Sequence, residues 1–105
     1  VFLYEWARAL DHPIAHPVGA THGVELFFLW GNAGMGISLS DAELPLSRSV
    51  MQAWGRFAYT GDPNGGGLTW PRYSLERDEH LTLDIVPTPG AHLKREACDF
   101  WDEIE

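Results

Sequence analysis

Residues 1–7, VFLYEWA, are almost wholly apolar and aromatic, so both faces of the strand they imply are hydrophobic. That pattern predicts an interior strand of a mostly parallel sheet covered on both sides. No second strong strand is expected at βαβ spacing, and a lone interior strand cannot satisfy its own backbone groups. Residues 11–19, DHPIAHPVG, read as a loop, because two prolines disfavour a regular helix. Val24 to Trp30 predicts a short apolar helix or helical turn opening just after His22. Asn32 to Gly36, NAGMG, reads as a second loop.

The strongest helical period runs from about Leu46 to Tyr59, where Leu46, Val50, Trp54, Phe57 and Ala58 share one face. Ser40 to Glu43 fits the capping pattern S-x-x-E ahead of it, and Pro45 weakens a single continuous helix there. TGDPNGGG ends the helix with successive turn formers. LTWPRY is irregular and apolar, LTLDIV (81–86) predicts a short edge strand, and Gly90 onward predicts a last helix. Its face of Leu93, Ala97, Phe100, Trp101 and Ile104 is expected to dock on a core through Phe100 and Trp101.

A chain of 105 residues is one small domain at most, and 45% apolar residues exclude a disordered tail. These apolar faces exceed what so short a chain can mutually bury. Residues 1–105 are therefore expected to be part of a larger α/β domain, with no internal boundary. The chain alone is expected to look partly folded or aggregated. VFLYEWA carries no initiator Met and no charged leader, so no signal peptide is expected in these residues. A net charge of −8 argues against nucleic acid or an anionic membrane as partner, and no apolar run approaches bilayer length.

Candidate chemistry is sparse. The nearest string to the G-x-S-x-G elbow, Gly36 to Ser40, lacks the final glycine and follows no strand, so Ser38 is a poor nucleophile. Cys98, the single cysteine, reads as a packed thiol or as half of a disulfide to a segment outside the chain. His12 and His16 have helical i, i+4 spacing, but Pro13 and Pro17 follow them, and no metal-binding motif is present. The glycine-rich runs lack the lysine and flanking elements of a phosphate cradle and read as turns. His22, between Ala20 and Gly23, is a candidate general base or an incidental loop histidine. Glu25 can orient it or simply face a helix N-terminus, and Asp11 is the other acid within loop reach.

Five blocks then resemble the type-B carboxylesterase and cholinesterase family, in its order and over essentially the whole chain. VFLYEWA resembles its V-Y-x-Y-x-F strand, and GATHGVELFFLWGN its G-A-x-H-G-x-E-L-x-F-x-F-G-N segment. LSRSVMQAWGRFAYTGDPN resembles its long helix, LTWPRY its W-P-x-Y, and EACDFWDEI its last helix. Phe27-Phe28 departs from the usual single aromatic after E-L, and the 32–36 loop carries two glycines.

The resemblance implies that the chain is the C-terminal part of an α/β hydrolase fold: one interior strand, long loops and two main helices. It implies a serine carboxylic-ester hydrolase, with His22 as the catalytic histidine of a Ser–His–acid triad. Serine and acid would lie upstream of Val1, so the chain alone is expected to be inactive. It further implies Glu25 beside the histidine, Phe27 and Phe28 as pocket residues, and a disulfide from Cys98 to an upstream segment. The implied partners are a small carboxylic ester and the remainder of the esterase domain, with no metal and no cofactor. The alternative is a cholinesterase-like adhesion or binding module that has lost triad residues.

Overall fold

The computed structural model describes residues 1–31 and 36–104. In chain order the elements are β1 (Tyr4–Trp6), α1 (Glu25–Leu29), α2 (Leu44–Thr60), β2 (Glu79–Leu83), β3 (Thr88–Ala91) and α3 (Arg95–Asp102), with a 3-10 turn over His16–Val18. The loop expected over 32–36 lies, apart from Gly36, outside the described residues.

The apolar N-terminal run forms a strand only at its centre, and it does have a parallel partner: Tyr4 faces Leu81 and Trp6 faces Leu83. The partner does not come at βαβ spacing, where no strong strand was expected, but from the strand expected near residues 81–86. The partner is EHLTL, in which Leu81 and Leu83 alternate with His80 and Thr82, a period of two that a half-buried strand requires. It starts two residues before the expected LTLDIV and ends at Leu83, before Asp84. It is also the central strand rather than an edge, because β3 pairs with it antiparallel in the order β1-β2-β3. β3 was not legible: its sequence TPGA holds a proline and a glycine, which strands tolerate at a sheet edge where the missing N–H is not needed.

Helix α2 runs unbroken from Leu44 to Thr60 with Pro45 in its first turn, the one place where a missing N–H costs no helical bond. Only half of the capping box forms. The Glu43 carboxylate accepts the Ser40 N–H at 2.9 Å, while the Ser40 hydroxyl is buried without a partner. The helix ends at Gly61, whose φ of 78° and N–H bond to the Phe57 carbonyl make a left-handed C-cap. Its buried face is Leu46, Ser47, Val50 and Ala53, with Trp54 half-buried. Phe57 and Ala58, expected on that face, are exposed.

The core has two lobes joined along α2. Leu10, Val24, Phe28, Leu46 and Val50 form one, and Ala53, Trp70, Leu81 and Leu83 the other; Trp6 and Trp54 pack against both. The irregular LTWPRY segment is fixed by Trp70, whose indole N–H donates to the Leu3 carbonyl at 2.9 Å. Burial of these apolar groups, worth about 25 cal/mol per Å² removed from water, orders the strand–loop–helix arrangement around residues 7–28.

The last helix departs from expectation. It starts at Arg95 rather than near Gly90, and none of its residues is buried. Phe100 and Trp101 contact each other edge-on at 5.4 Å and remain 56% and 66% exposed, so the expected docking on a core is not made. Cys98 is likewise exposed and free rather than packed. An amphipathic helix with its apolar stripe in water is incomplete by itself, as is a strand β1 that has a partner on one edge only among the described residues.

Candidate active site

The chain leaves the carboxyl end of β1 at Trp6 and returns to the core at Val24; His22 lies on the connection. In open sheets with parallel strands, ligand sites gather outside the carboxyl ends of the strands. Three buried residues pin this connection: Leu10 at its start, Val24 at its end and Phe28 one turn into α1. Between them the side chains of Asp11, Pro13, Ile14, His16, Pro17 and Val18 are exposed.

His22 is exposed in a tight turn immediately before α1. The Val24 N–H donates to the Thr21 carbonyl at 3.2 Å, closing a β-turn in which His22 is the second residue and Gly23 the third. Gly23 has φ of +81°, the value the third position of a type II turn requires and one that glycine adopts without strain. A Cβ on Gly23 would meet nothing within 4 Å, so the glycine serves backbone conformation rather than close packing. The exposed imidazole is thus carried on a turn whose backbone Gly23 fixes.

Glu25 opens α1, where a carboxylate favours the positive end of the helix. It also sits close to β1: burial first, and then the Glu25 charge, push the Tyr4 phenol above its ordinary range. The ion pairs among the described residues are Arg8–Glu43, Arg8–Asp84, Arg77–Glu79 and His92–Asp78, and none involves His22 or Glu25. Asp11 is tied through its backbone N–H to Glu43 at 2.7 Å.

The two phenylalanines part company. Phe28 is wholly buried, its ring 4.7 Å from Trp6, and its carbonyl accepts the Ser47 hydroxyl at 2.6 Å. Phe27 is half-buried against the same core lobe and keeps a free face. Ser38 is exposed in irregular chain, with no strand-to-helix turn to raise its nucleophilicity. His12 and His16 are joined by a helical turn, the His16 N–H donating to the His12 carbonyl at 2.8 Å, although Pro13 stands between them. No group of three or more His, Cys, Asp or Glu side chains able to hold a metal occurs among the described residues. An apolar cleft of about 180 Å³ lined by Phe2, Tyr4, Trp54, Phe57 and Trp70 lies on the seam of β1 and α2 and takes no residue from the His22 connection.

Two structural residues escaped the sequence reading. Arg8 follows an apolar strand and signals nothing by spacing, yet it reaches Glu43 at 3.4 Å across 35 positions. Glu43 was legible as half of a cap, but not as the fully buried group its 0% exposure makes it.

Residues 1–101 match the model of the Carboxylesterase family. Carboxylesterase 4A of Bos taurus is 37% identical over 99% of this chain and 19% of its own length. Liver carboxylesterase 1 of Mus musculus is 41% identical over 79% of this chain and 15% of its own. The solved structure of a PNB esterase superposes with a TM-score of 0.82 at 28% identity, covering 94% of this chain and 21% of that one. The chain thus spans about a fifth of the length of these relatives. Its strands and helices are part of an α/β hydrolase fold. The chain belongs to the carboxylesterase family.

Proposed function

We propose that this chain is the histidine-bearing part of a serine carboxylic-ester hydrolase, with His22 as its general base. The observation that carries the reading is the setting of His22. It is an exposed imidazole on a glycine-fixed turn, outside the carboxyl end of a parallel strand, in a chain of the carboxylesterase family. In this fold the triad runs serine, acid, histidine along the sequence, so nucleophile and acid come from segments N-terminal to Val1. No described serine competes for the role.

The proton bookkeeping is that of acyl transfer. The His22 imidazole takes the serine hydroxyl proton as the oxygen attacks the ester carbonyl, and the imidazolium then protonates the departing alkoxide. Water repeats the sequence against the acyl-enzyme: His22 takes its proton, the carboxylic acid leaves, and the serine oxygen recovers the proton. No cofactor enters the balance. The triad acid holds the ring tautomer, while Glu25, at the start of α1, is a neighbour rather than that acid. Phe27 is the phenylalanine with surface left for an acyl group. The exposed Cys98 thiol is available for a disulfide to the remainder of the domain, and the uncovered face of α3 is ready to pack there.

Fluorophosphonate labelling tests the reading. The intact esterase that contains this chain is expected to label covalently on a serine outside residues 1–105, and these residues alone are expected not to label. An intact protein that resists the probe and leaves p-nitrophenyl esters untouched would instead be a binding module that keeps the fold and lacks the nucleophile. Labelling of the isolated chain would return Ser38 to consideration.

A further inference from the structure

Helix α2 grips the His22 connection at both ends. At the leading end the Glu43 carboxylate, 0% exposed, accepts the Asp11 N–H on Oε1 at 2.7 Å and the Ser40 N–H on Oε2 at 2.9 Å. The Arg8 guanidinium adds a longer contact to Oε1 at 3.4 Å. At the trailing end Ser47 Oγ, also buried, donates to the Phe28 carbonyl at 2.6 Å. Glu43 and Ser47 are four residues apart, the spacing that puts side chains on one helix face a turn apart. Leu46 and Val50 of the same helix pack against Leu10, Val24 and Phe28.

Burying a carboxylate is costly unless its oxygens are satisfied, and here both are. A helix start can be capped at far less cost by a surface serine or aspartate. The additional bonds of Glu43 reach back to Arg8 and Asp11, and these fix where the connection begins. The stretch from Pro13 to His22 offers few buried anchors of its own. The position of His22 therefore depends on its two ends and on the Gly23 turn.

We propose that Glu43 is a positioning residue for His22, with Ser47 as the second pin of the same clamp. The proposal rests on the reading of His22 as the base. A general base must lie within hydrogen-bond reach of the hydroxyl it deprotonates, and a displacement of about 1 Å can cost a hundredfold in rate. Glu43→Gln keeps shape and volume, but it turns an NH2 toward one of two backbone N–H groups and releases that tether. Ser47→Ala leaves the Phe28 carbonyl without its donor.

The test is a double-mutant cycle in the intact esterase, read as p-nitrophenyl-ester hydrolysis per mole of folded protein. Glu43→Gln is expected to lower kcat about 10- to 100-fold with KM nearly unchanged. In a His22→Ala background, the same substitution is expected to change the residual rate by less than about twofold, because a group acting through His22 has nothing left to position. Ser47→Ala is expected to show the same dependence, and it carries the test alone if Glu43→Gln does not fold. Equal losses in both backgrounds, or unchanged turnover per folded mole, overturn the positioning role and leave the base reading intact. Near wild-type hydrolysis by His22→Ala itself removes the base, and the proposal falls with it.

Discussion

The Val24 N–H closes on the Thr21 carbonyl at 3.2 Å, and the two residues inside that bond are His22 and Gly23. The turn ties the His22 imidazole to a buried valine, so its geometry is inherited from the core. Because Gly23 sits at φ of +81° with open space where a Cβ would go, substitution is penalised by backbone strain alone. Gly23→Ala is expected to cost about 1–2 kcal/mol of local conformational energy. Gly23→Asn should cost less, since Asn visits the left-handed region, and Gly23→Val more. Turnover of p-nitrophenyl esters by the three variants should follow the order Asn, Ala, Val; a flat series would mean that the turn does not control the histidine.

A different kind of glycine sits in the sheet. His80 on β2 faces Gly90 on β3, and a Cβ at Gly90 would lie 2.8 Å from the imidazole Cε1. Gly90→Ala is expected to destabilise by about 1–3 kcal/mol, the usual range for forcing a group into filled space. In His80→Ala, Gly90→Ala should be nearly neutral. Chemical denaturation of the four proteins in this cycle measures the coupling, and additive losses would count against it.

The turn after α2 carries an acid-sensitive tether. The Asn64 backbone N–H, then its side-chain NH2, hydrogen-bond the Asp62 carboxylate, and with the Arg72 charge they hold its pKa below the ordinary value in spite of some desolvation. A folded-state pKa lower than the unfolded one contributes stability above the unfolded value, and the contribution is lost as pH falls through the folded value. The stability gap between wild type and Asp62→Asn should hold steady near neutral pH and close below about pH 4. A gap that persisted or grew in acid would contradict the assignment. Asn64 also brackets Trp70, accepting its N–H at 2.6 Å and donating to its carbonyl at 3.0 Å.

Tyr4 gives the opposite pH dependence. Burial and the Glu25 charge raise its pKa, so the folded state holds the phenolic proton more tightly than the unfolded chain does. Its contribution is complete below the unfolded value of about 10 and is lost as pH rises through the folded value. Thermal unfolding followed from about pH 9 upward should fall more steeply for wild type than for Tyr4→Phe. Parallel curves would show that the phenol does not titrate differently on folding.

What the sequence disclosed tracks how local each cause is. The helix over Leu46 to Tyr59 and its stop at Gly61 rest on a 3.6-residue period and a glycine cap, both written in neighbouring residues. The helix opening just after His22 was legible in the apolar run from Val24 to Trp30, but the turn made by Gly23 was not. β3 was hidden because Pro89 and Gly90 oppose strand propensity, and only pairing with β2 makes them a strand. α3 was legible as amphipathic, but the expected docking was not made: its apolar residues have no facing surface among the described residues. The buried tether from Glu43 to Arg8 and Asp11 joins positions more than 30 residues apart, and no local pattern announces such a bond.

Whether His22 is the general base of an ester hydrolase is decided by kcat/KM for a p-nitrophenyl ester in the intact enzyme carrying His22→Ala. It is expected to fall by roughly four to six orders of magnitude, the loss that follows removal of a triad member, with circular dichroism and thermal unfolding unchanged. Hydrolysis within a few-fold of wild type would contradict that role.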